Sequence, residues 1–358
     1  MIKIFKYLLI SLTFCGFAFT NALADPKKVG FIYIGPPGDH GWTYMHDVGR
    51  KYMESQLGDA VTSTYIEGVP ENADAVRAIR KLASSGHDLI FTTSFNYMDQ
   101  TLEVAKEFPN VKFEHATGYK RADNVSTYSA RFYEGRTIIG HIAGHMSKTN
   151  TVGYIASFPI PEVVRGINAF YLAASKVNPD IKIKVIWVFT WYDPGKEADA
   201  AKTLINQGAD IIVQHTDTYA PCQAAEEAGV YAFGQASNQE EFCPNAHLTA
   251  IEDIWGPYYA DRAKAVVDGT WSSEDTWDGM DKGMVVMSPY NTKLLPASLI
   301  QEAINMEVGI KDGTLHSFEG PIYNQAGELV VPEGQVADDG MLAGMNFYVQ
   351  GIDGDLPQ

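Results

Sequence analysis

The chain has 358 residues, 46% of them apolar and 20% charged, with 32 Gly and 17 Pro. At roughly 150 residues per domain the length implies two domains, large enough to bury a core without disulfide staples. The balance excludes collagen, coiled coil and general disorder. A formal net charge of −17 argues against nucleic acid or anionic membrane as a partner.

The N-terminus reads as an export signal. Lys3 and Lys6 precede an apolar stretch over residues 7–20, and Ala22-Leu23-Ala24 is a small-x-small cleavage site. A secretory signal peptide over residues 1–24 is expected, cleaved before Asp25, with delivery to the periplasm. Cys15 lies in the apolar run, but Thr13 and Phe14 before it do not make a lipoprotein signal. No later segment reaches the roughly 20 apolar residues that span a bilayer. Cys222 and Cys243 remain; in an oxidising compartment they could pair, or they could be two buried thiols.

Short, nearly continuous apolar runs follow at 28–34, 88–92, 151–156, 182–189 and 210–213. These have the pattern of parallel strands covered on both faces. Helical stretches lie between them, one over 72–85 stopped by Gly86 and one over 197–207 stopped by Gly208. Such alternation predicts an α/β fold with parallel sheets. The halves also repeat. Val29-Gly30-Phe31-Ile32 lies 123 residues before Val152-Gly153-Tyr154-Ile155, and Ala78-Ile79-Arg80-Lys81-Leu82 lies 122 residues before Ala200-Ala201-Lys202-Thr203-Leu204. Two similar, doubly wound lobes are expected.

In open parallel sheets ligands bind beyond the carboxyl ends of the strands, so two facing lobes make a cleft between their loops. The loops expected there are 35–43, 93–98, 117–120, 158–163, 189–194, 215–221, 235–238 and 252–255. They are rich in aromatics, among them Trp42, Phe95, Tyr97, Phe158, Trp191 and Trp255. Three of the six Trp in the chain fall in these loops, and flat walls suit a flat ligand. Asn96, Gln235 and Asn238 each offer a donor and an acceptor, the pair that an adenine-type edge requires. Asp39 and Asp217 would accept from a ring N–H or an exocyclic amino group.

Other motifs carry less. Gly35-Pro36-Pro37-Gly38-Asp39 lacks the ending of a phosphate loop. His141 and His145 have the i, i+4 spacing of zinc ligands, but no catalytic Glu lies between them, and no metal site is expected. No nucleophile elbow or acid/base cluster is present, so neither an enzyme nor a cofactor is expected.

The ordered motifs Asp39-His40-Gly41-Trp42-Thr43, Val152-Gly153-Tyr154-Ile155, Val177-Asn178-Pro179-Asp180, Asp193-Pro194-Gly195-Lys196-Glu197 and Gln207-Gly208-Ala209-Asp210 make the chain resemble the basic membrane protein family. These are purine-nucleoside receptors of ABC transporters, and the resemblance covers nearly the whole chain after residue 24. It implies a type I periplasmic-binding fold, with two lobes joined by a three-stranded hinge. On that basis the first lobe is expected over 25–147 plus about 254–280, and the second over 148–253 plus about 281–358. Crossings are expected near Ser147, Asp253 and Met280.

The resemblance also implies a purine held between aromatics, with Trp42 and Asp39 at matching positions and Trp191 or Tyr192 opposite. Two family features are altered. The Asp that holds the ribose is replaced in Gly234-Gln235-Ala236-Ser237-Asn238-Gln239 by Ala236, and the sugar-side Lys by Asp253. A site without hydroxyl-binding groups cannot discriminate for a sugar. The expected function is therefore a periplasmic solute-binding protein of an ABC importer that captures a free purine base such as adenine. The alternatives are a purine nucleoside receptor, or a ligand-binding sensor for another flat heterocycle. The expected partner is a membrane permease, and the protein itself is expected to be a monomer.

Overall fold

The computed structural model describes residues 25–38 and 40–357. The expected signal peptide over 1–24 and the candidate site residue Asp39 lie outside the described residues. The chain runs β1 (Lys27–Ile32), α1 (Trp42–Leu57), β2 (Val61–Ile66), α2 (Ala73–Ser84), β3 (Leu89–Thr92), α3 (Met98–Glu107), β4 (Lys112–Ala116) and β5 (Val125–Ala130). It continues through α4 (Phe132–Met146), β6 (Thr151–Ala156), α5 (Pro161–Val177), β7 (Lys182–Trp187), α6 (Pro194–Asn206), β8 (Ile211–His215), α7 (Ala220–Ala228), β9 (Tyr231–Ala236) and β10 (His247–Asp253). It closes with α8 (Gly256–Asp268), β11 (Asp275–Asp278), β12 (Val285–Met287), α9 (Ala297–Asp312), β13 (Ile322–Tyr323), β14 (Leu329–Val331) and α10 (Asp339–Ala343).

Two six-stranded sheets result, ordered β2-β1-β3-β4-β5-β11 and β7-β6-β8-β9-β10-β12. The first five strands of each follow the same order, which is the duplication read from the sequence. All pairings within them are parallel except β10 with β12. Alternate residues of each strand enter different cores. Phe31 and Phe91 stack at 4.8 Å on the face covered by α1 and α8, whereas Ile32 and Ile90 pack with Ile79 and Val104 of α2 and α3. In the second sheet Tyr154 and Val213 face α4 and α5, and Ile155 and Ile212 face α6 and α7. Burial on both faces is why these strands carry no polar alternation.

The chain passes between the sheets three times. The first passage differs from the expected one near Ser147. Helix α4 packs against α5, α9, β10 and β12, so the chain has already crossed at Arg131, ahead of α4. The reason is a close helix contact: a Cβ at Gly140 would lie 2.3 Å from the Phe170 carbonyl oxygen, and one at Gly144 2.7 Å from that of Ala174. Helix α8 returns to pack on α1 and β1. The third passage joins β11 of the first sheet to β12 of the second.

The C-terminal segment is anchored on α5. Asn168 donates to the Phe347 carbonyl at 2.8 Å and accepts from the Val349 amide at 3.1 Å, and Arg165 donates to the Leu342 carbonyl. Cys222 and Cys243 form a disulfide across 21 residues, joining α7 to the turn after β9. Of the two readings of these cysteines, the structure takes the bonded one.

Candidate functional site

A narrow cavity of about 20 Å³, partly open to solvent, lies between the lobes. Its lining comes from the carboxyl ends of strands on both sides. The first lobe contributes Ile34 after β1, Ser94 and Phe95 after β3, Thr117 after β4, and Trp42 at the start of α1. The second contributes Trp191 after β7, His215 and Asp217 around the end of β8, Gln235 in β9, and Glu162 in the first turn of α5.

The lobes meet closely at its rim. Ser237 donates to the His40 carbonyl, and Gln239 does so at 3.3 Å. A Cβ on Gly41 would lie 2.0 Å from the carbonyl oxygen of Asp217, so only glycine permits this approach. His40, Thr117, Phe189 and Ala236 hold φ of 53°, 60°, 51° and 62°. Left-handed backbone at a non-glycine residue costs of order 1–3 kcal/mol and persists where surrounding structure demands it, commonly at ligand sites.

Of the residues predicted from sequence, Trp42, Phe95, Trp191, Asp217 and Gln235 come together around this cavity. Trp42 is oriented by its Nε1–H, which donates to the Thr93 carbonyl at 2.7 Å. Trp191 is buried, and its Nε1–H has no partner among the described residues. Phe158 stands behind the wall, its ring 5.3 Å from that of Trp191.

Four predicted residues lie elsewhere. Tyr97 ends a 3₁₀ turn and points into the α2–α3 core, where its hydroxyl donates to the Val69 carbonyl. Asn96 is held by Glu71, donating to its Oε2 at 2.9 Å, and does not line the cavity. Trp255 is sealed beneath α1. It precedes α8, which packs on α1, and its indole stacks on His46 at 5.0 Å and 7°, with its edge to Trp42. Asn238 caps its own turn, accepting from the Glu240 amide at 2.9 Å.

The polar side of the cavity has an order that sequence reading missed. Arg136 on α4 is fully buried and donates through Nη2 to Oε1 of Gln235. Its carbonyl thus engaged, Gln235 serves the cavity as a donor through its NH2 group. The Nε2 of His215 lies 3.3 Å from Glu162 Oε1. Burial lowers the His215 pKa, more than the Glu162 hydrogen bond raises it. The neutral ring therefore donates Nε2–H to Glu162, and Nδ1 remains an acceptor with no partner among the described residues.

Behind this pair, Asp253 is fully buried and neither carboxyl oxygen has a hydrogen-bond partner among the described residues. Burial pushes its pKa well up, and the nearby Glu162 adds to that while Arg136 opposes it. The cavity thus combines aromatic walls, donors on Gln235 and Trp191, and acceptors on Asp217, Glu162 and His215.

Asp217 is set by the motif Asp193-Pro194-Gly195-Lys196-Glu197. Asp193 caps α6 by accepting from the Lys196 amide at 3.0 Å. Glu197 accepts from the Asp193 amide at 3.0 Å and from the Thr218 hydroxyl and amide at 2.8 and 3.1 Å. A wider groove runs on from the cavity, sharing Phe95, Thr117 and Glu162 and continuing past Tyr119, Ile160 and Trp277. Among the described residues no helix is long and apolar enough to cross a membrane.

Comparison with known proteins agrees with this architecture. The model of the family described as ABC transporter substrate-binding protein, PnrA-like (Bmp) matches residues 26–317. A purine-binding protein of Brucella abortus (strain 2308) is 57% identical over 348 residues, 97% of this chain and 99% of that protein. A Haloferax volcanii protein with the provisional name of an ABC transporter glucose-binding protein is 33% identical, over 93% of this chain and 82% of its own. Among solved structures, an ABC transporter solute-binding protein from Aeropyrum pernix K1 superposes with a TM-score of 0.72 at 18% identity, covering 88% of this chain and 95% of that one. That likeness extends the two-lobed fold to distant sequences. The chain belongs to the PnrA-like (Bmp) family of ABC transporter substrate-binding proteins.

Proposed function

We propose that this protein captures a free purine base, with adenine the leading candidate, in the interlobe cavity and presents it to the membrane permease of an ABC importer. The observation that carries this reading is the lining of the interlobe cavity, which must widen to admit a base, with Trp42 and Phe95 on one lobe and Trp191 on the other, and polar groups in one zone between them. Each aromatic–base contact contributes about 0.5–1.5 kcal/mol beyond burial. Glu162 and Asp217 would accept from ring and exocyclic N–H groups, while Gln235 and Trp191 would donate to ring nitrogens. A free base carries an imidazole N–H that a nucleoside has replaced by its sugar, which suits a site with this many acceptors. Two further features support the base: Ala236 is fully buried and brings no hydroxyl-binding group, and the fully buried Asp253 behind the cavity, its pKa pushed up by burial, offers no cation to a sugar. The Brucella relative is named a purine-binding protein, which supports a purine ligand. The disulfide and the N-terminal sequence support a periplasmic location.

A second reading takes a purine nucleoside, its sugar lying in the groove that continues past Tyr119. Calorimetric titration with adenine, guanine, adenosine, guanosine and D-glucose separates these readings. Tight binding of a base, with nucleosides at least tenfold weaker, supports the proposal. Equal or tighter nucleoside binding favours the second reading, and a response to glucose alone defeats both.

A further inference from the structure

We propose that a divalent transition-metal ion, zinc or a close equivalent, binds on the second lobe between α4 and α9, held by His141, His145 and Glu302. The two histidines stand one turn apart on α4, and the sequence gives them no third ligand. The fold supplies one from far along the chain. Glu302 on α9 places Oε2 3.0 Å from His141 Nε2 and 3.6 Å from His145 Nε2. One ligand atom from each of the three residues lies within 4.8 Å of the others.

These separations fit the chemistry. With zinc about 2.0–2.1 Å from nitrogen and oxygen ligands, a tetrahedron has ligand–ligand edges of about 3.3 Å. The two N···O separations bracket that edge, and the two imidazoles, with ligand atoms within 4.8 Å, would draw together by side-chain rotation around the ion. Two imidazoles and one carboxylate suit zinc, copper or nickel and not calcium or magnesium, which take oxygen ligands. The three side chains are 20%, 41% and 49% exposed. The ion would reach them from solvent, and the fourth position would stay open to water. An open recess beside His141, bordered by His316 and Glu319, gives that approach. The net charge of −17 favours any cation near the surface.

The ion would bridge α9 to α4, the helix that carries Arg136 toward the purine cavity. Both helices pack within the second lobe, so the site ties that lobe together and does not span the cleft. It is independent of the purine reading.

The test uses the exported chain, stripped with chelator and then titrated with zinc chloride. Isothermal calorimetry is expected to show one equivalent, with His145→Ala and Glu302→Gln each weakening it at least tenfold and the His141→Ala, His145→Ala pair abolishing it. Cobalt(II) is expected to give the visible absorption of a tetrahedral ion in the wild type and not in the double variant. Without metal, each variant should melt within a few degrees of the stripped wild type, which shows that it has folded. If His141→Ala does not fold, Glu302→Gln, with its exposed side chain, carries the test alone. No saturable heat up to millimolar zinc, or binding that is unchanged in the variants, overturns the proposal.

Discussion

Replacing Trp191 by Phe isolates one hydrogen-bond donor from the aromatic wall that carries it. In the free protein the buried Nε1–H has no partner among the described residues, and an unmade buried hydrogen bond costs about 1–3 kcal/mol. Phe removes that cost. It also gives up about 40 Å² of apolar contact, worth about 1 kcal/mol at roughly 25 cal/mol per Å². The net lies between zero and about 2 kcal/mol in the variant's favour, so urea denaturation of the unliganded variant should give a stability no lower than that of the parent. Binding behaves differently. If the indole N–H donates to a purine nitrogen, its loss removes about 1–1.5 kcal/mol and raises the adenine Kd about five- to tenfold. Trp191→Ala removes the wall as well and should weaken binding further. Calorimetry and urea melts on the same preparations decide the matter. A Trp191→Phe protein that binds adenine as tightly as the parent would refute the assignment of this donor.

Three further outcomes are expected. Gly41→Ala places a Cβ against the Asp217 carbonyl and should hold the lobes apart, so adenine binding weakens at least tenfold and small-angle scattering shows no compaction on adding ligand. Burial raises the Glu197 carboxyl from 4.5 to about 7, against the hydrogen bonds from Asp193 and Thr218 that lower it. Its folded pKa thus exceeds the unfolded one: its contribution to stability is full below pH 4.5 and is lost as pH rises through 7. The amplitude is about 3 kcal/mol, so in melts from pH 4 to 8 Glu197→Gln should show a shallower alkaline decline than the parent. Reducing Cys222–Cys243 releases a loop of 21 residues and should lower stability by about 3 kcal/mol in the chain-entropy treatment, read from urea melts with and without reductant.

Much of the fold was legible because both sheets are buried on two faces. The near-continuous apolar runs at 88–92 and 151–156 fall on β3 and β6. Gly86 and Gly208, expected to stop helices, follow α2 and α6 with φ of 82° and 96°. The passage at Arg131 was harder to see. An apolar helix shows its own period but not the sheet it will cover, although the glycine pair Gly140 and Gly144 signals a close helix partner. The cavity was legible as loops and only partly as side chains. Phe95, Asn96 and Tyr97 are consecutive in a 3₁₀ turn, so they point in three directions and only Phe95 faces the cavity. Trp255 lies on an expected cleft loop, but the packing of α8 on α1 turns it inward. Arg136 gave no signal at all: a single arginine in an apolar helix acquires its role only when α4 packs on the second sheet and brings it to Gln235 of β9. Glu162 announced itself weakly, as the acid after Pro161 at a helix start, and His215 as an apolar strand's last residue.

The most direct measurement is a crystal structure of the exported protein grown with adenine. The account predicts the base in the interlobe cavity, between the Trp42–Phe95 wall and Trp191, with the Gln235 NH2 on a ring nitrogen and Asp217 or Glu162 accepting from an N–H. Adenine bound outside that cavity, or within it with no contact to Gln235, Asp217 or Glu162, would contradict it.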